Sequence, residues 1–155
     1  GFNYGAGLNR RVRQGFWYCV KVGVIFLAIC SLIGYIYAPE IVSWFRKEDP
    51  QVIAVGAEAL RWQLITLPLG AWVILCNMLL QTIRQPRRAV ILSSSRQGLF
   101  FIPLILILPY FLQLQGVEMC QAAADLCSFL LALPLTIPVL KSLRIDRTPM
   151  KEENA

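Results

Sequence analysis

Apolar residues in this chain come in long unbroken runs, not in stripes. From Val22 to Ala38, Trp62 to Ile83 and Gln97 to Val117 there is no Asp, Glu, Lys or Arg, and Met119 to Leu140 holds only Asp125. A water-facing amphipathic helix repeats apolar positions at i, i+3, i+4 and i+7 and keeps a polar face opposite. Runs without a polar face bury on every side. At 1.5 Å rise per residue, about 20 such residues cross a hydrocarbon layer about 30 Å thick. The pattern predicts an all-α polytopic membrane protein with four transmembrane helices, near residues 15–38, 62–83, 97–117 and 119–140, in one membrane domain.

The interruptions carry their own signals. Pro39 ends the first run, and Glu40 to Arg61 mixes Trp44 and Phe45 with Arg46, Lys47, Glu48 and Asp49, the composition of an interfacial loop with aromatic anchors. Asp49 before Pro50 reads as an N-cap and first-turn proline, so the second helix is expected to begin outside the hydrocarbon, with Glu58 and Arg61 on its wet end. Arg84 to Arg88 (RQPRR) is a short basic turn, and Gln113 to Gly116 leaves room only for a tight one. Pro103 and Pro109 are expected to kink the third helix, and Pro134 and Pro138 break the pattern of the fourth. Residues 141–155 are charged and lack apolar periodicity, as a frayed tail would be.

Composition agrees with the runs: 57% of residues are hydrophobic and 15% charged, against roughly a quarter charged in soluble domains. A net charge of +6 raises the question of nucleic acid. The placement excludes it, because the cations stand in short clusters between apolar runs and not on one polar face. Arg10, Arg11 and Arg13 precede the first span, Arg84, Arg87 and Arg88 follow the second, and Lys141, Arg144 and Arg147 follow the fourth. That asymmetry places both ends in the cytoplasm of a bacterial-type plasma membrane. The chain opens at Gly1 with no initiator Met and no signal-peptide pattern, so an upstream portion is expected.

Candidate chemistry is sparse. No histidine is present, which excludes imidazole triads and metal sites. Cys19, Cys30, Cys76, Cys120 and Cys127 are scattered through apolar stretches without disulfide or zinc spacing. Lys21, just inside the first span, suits snorkelling to the headgroups or a role in transport. Asp125 is the one acid well inside a span, and two readings stay open. It couples to protons or binds cations in a water-filled passage, or it is structural, paired with a cation such as Arg61 or solvated near the interface. One carboxylate makes neither an acid/base pair nor a metal cage, so an enzyme is not expected. Asn77 and Gln81, at i and i+4, line a polar passage or bond to neighbouring helices. Ser93, Ser94 and Ser95 suit a small-residue helix contact.

Several stretches resemble the multidrug and toxic compound extrusion (MATE) family. They are FNYGA at Phe2–Ala6 with Arg11 and Val12, APEIVSWF followed by Asp49 and Pro50, QPRRA, RQGLFFIPLILILP and ADLCSFLL. Their order and spacing cover nearly the whole chain and are similar to helices nine to twelve with the preceding loop. By position, Phe2, Asn3, Tyr4, Gly5 and Ala6 match the family's loop signature, Arg96 and Pro103 its helix-eleven pattern, and Asp125 its helix-twelve acid. The chain departs from the family at Arg84, where a glycine is usual, and at Ala122, where a proline is common.

The resemblance implies part of a MATE-type C-terminal helix bundle, incomplete without the N-terminal helices. It implies export of amphipathic cationic drugs in exchange for Na+ or H+, with no other cofactor, and partners limited to the rest of the transporter, the substrates and the lipid bilayer. Two alternatives stand beside it: a lipid-linked oligosaccharide or polysaccharide flippase of the same superfamily, and a non-transporting four-helix membrane subunit.

Overall fold

The structure, a computed structural model, describes residues 1–45 and 50–145, and every element among them is helical. In order these are α1 (Phe2–Gly5), α2 (Asn9–Ile36), α3 (Ala38–Phe45), α4 (Pro50–Thr82), α5 (Pro86–Ser94), a π-helical turn (Ser95–Leu99) and α6 (Phe101–Ser142). The protein is an all-α polytopic membrane protein. Three helical stretches are long and apolar enough to cross a bilayer: Asn9–Ile36, Pro50–Thr82 and Pro86–Ser142.

The third stretch is not straight. Gln113 has φ 51 and ψ −126, which breaks α6 into two arms. Ser95 Oγ donates to Ser128 Oγ at 3.2 Å, and Arg96 Nε donates to Asp125 Oδ1 at 2.6 Å. A straight helix would hold residues 96 and 125 about 43 Å apart, so those contacts require the arms to run antiparallel. Gly116 lies against the first arm so closely that a Cβ there would sit 2.4 Å from the Leu108 carbonyl oxygen. The reversal therefore depends on glycine at this position.

Both loops on the basic side close by the same device. Gly7 has φ 76, and Leu8 N–H donates to Asn3 O while Gly7 N–H donates to Tyr4 O. Arg84 has φ 58, with Gln85 N–H donating to Leu80 O and Arg84 N–H to Gln81 O. Paired 6→1 and 5→2 bonds of this kind define a Schellman motif, which places its left-handed residue where glycine is favoured. Arg84 takes that conformation against the preference of an L side chain.

The segment expected as an interfacial loop is mostly helical. Residues Ala38–Phe45 form α3, with Pro39 in its first turn, where a missing N–H costs no helical bond. Trp44 and Phe45 at its end are exposed, as interfacial anchors are. Helix α4 is described from Pro50 onward. Asp49, with Arg46, Lys47 and Glu48, lies outside the described residues, as does the tail beyond Ile145. The kink expected at Pro103 is absent, because Pro103 falls in the first turn of α6 and the irregularity is the π turn before it.

Proline inside α4 has a visible answer. Pro68 removes the N–H that would bond the Leu64 carbonyl, and Ser31 Oγ of α2 donates to that oxygen instead. Because lipid is as apolar as leucine, close packing and hydrogen bonds, not water exclusion, join these helices. Small residues accordingly fill the contacts: Ala71, Ala89, Ala124, Ala132, Ser95 and Ser128 are all buried. Trp72 of α4 ties three elements together, with ring centroids 5.8 Å from Phe16 and 5.9 Å from Trp17 of α2 and 6.3 Å from Phe129 of α6.

Candidate functional site

Asp125 is 1% exposed, which makes its surroundings decisive. It lies about 18 Å along the second arm from Gln113 at 1.5 Å per residue, inside the apolar run Met119–Leu140. Its oxygens accept four hydrogen bonds. Oδ1 receives Arg96 Nε at 2.6 Å and Gln121 Nε2 at 3.2 Å, and Oδ2 receives Gln63 Nε2 at 3.1 Å and Arg96 Nη2 at 3.4 Å. With about four lone-pair sites on a carboxylate, this acid is fully occupied. A buried charge in lipid persists only under such compensation.

Three elements build the cluster. Gln121 stands at i−4 from Asp125 on the same arm, the spacing that brings helical side chains together. Gln63 comes from the first half of α4. Arg96 sits in the π turn, where Phe100 N–H donates to Ser95 O at 3.0 Å, one residue beyond α-helical register. The extra residue widens the turn, and Ser95 and Arg96 both engage the second arm. π turns of this kind recur at functional sites.

Arg61, one cation open as a structural partner for Asp125, does not pair with it; Arg96 does. The Arg61 guanidinium lies 5.3 Å from the Tyr35 ring centroid, in a cleft with Glu58 near the start of α4. Arg96 takes the pairing role instead because the hairpin places it level with Asp125.

Asn77 reaches the neighbourhood indirectly. It lines a cleft of about 210 Å³ with Ile74, Leu92, Ser93, Arg96 and Gln97, and its Oδ1 is buried without a partner among the described residues. Arg96, 29% exposed, thus has Asp125 on one side and this cleft on the other. Gln81 is exposed. Ser95 makes the buried helix contact, whereas Ser93 is exposed. Phe2, Asn3, Tyr4, Gly5 and Ala6 lie in and beside α1, which borders the Arg84 turn and stands apart from the Asp125 cluster.

Gln63 and Gln121 escaped the sequence reading. Gln121 was accessible from its i, i+4 spacing to the acid; Gln63 carries no local signal beyond being a carboxamide in an uncharged run.

Comparison with known proteins places this geometry. The MatE family model matches residues 1–107. A solved structure described as protein A superposes with a TM-score of 0.83 at 32% identity, over 94% of this chain and 32% of its own length. The chain thus spans about a third of that structure. No curated protein matches.

Proposed function

The chain belongs to the MatE family, and from that premise we propose that it works as the C-terminal part of a membrane antiporter exporting amphipathic cationic drugs in exchange for Na+ or H+. The observation that carries the reading is the Asp125–Arg96 pair, a charge couple inside a bilayer that joins the two arms of a hairpin to α4. Intramembrane ionisable groups mark ion and substrate pathways, and rocking of helix repeats around them is how such carriers alternate access.

All four lone-pair sites of Asp125 are taken by protein donors, so either coupling ion, Na+ or H+, would have to displace one of them. Protonating a carboxylate oxygen removes the charge and one acceptor site. The bond from Arg96 then weakens, one carboxamide must turn, and the arms and α4 are free to shift. Deprotonation re-forms the pair. Arg96, released from Asp125, faces the cleft with Asn77, so the guanidinium has a second polar position.

A structural role for the pair has its own support, since all four acceptor sites are satisfied by protein. Transport separates the two. Everted vesicles carrying the assembled transporter should accumulate ethidium when a pH or Na+ gradient is imposed, and the driving ion is the one whose gradient sustains uptake. Absence of uptake under either gradient would overturn the drug-antiport reading.

A further inference from the structure

One face of α2 carries a stripe the transport reading does not use. Arg10, Arg13, Trp17, Tyr18 and Lys21 recur at three- and four-residue spacing and therefore align along the helix. The end of α6 lies opposite, where Arg144 and Leu143 complete a groove of about 440 Å³. Asn9 Nδ2 fixes the two ends together by donating to Ile145 O at 2.9 Å.

We propose that this groove binds the headgroup of an anionic phospholipid, a phosphodiester without a compensating amine such as phosphatidylglycerol. Arg13, Lys21 and Arg144 bring three cations to the groove, with no carboxylate among the described lining residues. Arg13 Nε is buried without a hydrogen-bond partner among the described residues, a donor awaiting an acceptor. The groove lies at the N-terminal end of α2, just before the uncharged run that starts at Val22, so its cations stand at the edge of the span. Trp17 and Tyr18 are of the residue types that settle at the headgroup level. Lys21 lies about 12 Å further along the axis than Arg13 and snorkels back toward the same level. Basic pockets between helices at the membrane surface recognise headgroups in this manner.

The test is quenching of Trp17 fluorescence by brominated lipids in nanodiscs holding the assembled protein, with the Trp17 signal isolated by difference against Trp17→Phe. Brominated phosphatidylglycerol should quench at about tenfold lower mole fraction than brominated phosphatidylcholine, a preference worth about 1.4 kcal/mol. Combined Arg13→Gln, Lys21→Gln and Arg144→Gln should abolish the difference. Equal quenching by the two lipids in the unaltered protein overturns the proposal without reference to any variant. So does a preference that survives the triple substitution. Displacement of the lipid by equimolar inorganic phosphate would mean a free-anion site, and it too overturns the assignment.

Discussion

Removing either partner of the Arg96–Asp125 pair should destabilise the bundle unequally. In Arg96→Ala the carboxylate, 1% exposed, keeps two carboxamide donors and loses its counter-charge. The expected cost is about 3–5 kcal/mol, the usual result of stranding a buried charge. In Asp125→Ala the stranded group is Arg96, 29% exposed and bordering the Asn77 cleft, so water can reach it. A smaller loss, about 1–3 kcal/mol, follows. With charge centres about 4 Å apart and an effective dielectric near 20, the attraction is about 4 kcal/mol. Solvent screening at the exposed side of Arg96 reduces this to about 2 kcal/mol. The double substitution should therefore cost about 2 kcal/mol less than the sum of the single ones. Unfolding in mixed micelles, followed by tryptophan fluorescence, measures all four corners of the cycle. Additivity to within about 0.5 kcal/mol would refute the coupling.

Other positions make independent claims. Arg84→Gly relieves a left-handed residue and should raise stability by about 0.5–1 kcal/mol in the same unfolding assay; a lower midpoint would contradict the Schellman closure at that turn. Gly116→Ala drives a methyl into the Leu108 carbonyl and should cost about 2–3 kcal/mol or prevent the hairpin from closing. Near-normal stability there would mean the arms do not approach as described. Single cysteines at Arg11 and Ile145 in a cysteine-free background should react with impermeant reagent from the cytoplasmic side only, and one at Trp44 from the opposite side only. Labelling of all three from one side would refute the orientation inferred from loop charge.

Much of the fold was readable because membrane solvent leaves a coarse signature. Uncharged runs as long as a bilayer is thick, basic clusters between them and Pro50 at a helix start locate α2, α4 and the arms of α6. The reversal near Gln113–Gly116 follows from the lack of room for a loop. Local rules failed where tertiary geometry decided. Nothing in the spacing of Pro103 announces that the irregularity is a π turn before it, since that turn exists to bring Ser95 and Arg96 onto the second arm. Sequence alone offers Arg61, at the edge of a span, as one possible partner for Asp125, whereas antiparallel return of the hairpin places Arg96 beside it. The identity of that cation needs the register between two arms, which no single stretch of sequence encodes. Loop charge and apolar length also said little about 38–45, because an interfacial helix and an interfacial loop share the same aromatic and charged composition.

Asp125→Asn tests whether the buried carboxylate serves transport and not only packing. The substitution keeps size and removes the charge, and the amide oxygen can still accept from one of the two carboxamides, Gln121 at the Oδ1 position or Gln63 at the Oδ2 position. Ethidium uptake into everted vesicles, normalised to correctly inserted and folded transporter, should fall at least about tenfold, equivalent to about 1.4 kcal/mol, and should no longer depend on an imposed pH gradient. Unchanged uptake per folded molecule, with the pH dependence intact, would contradict the account and leave Asp125 a structural ion-pair partner alone.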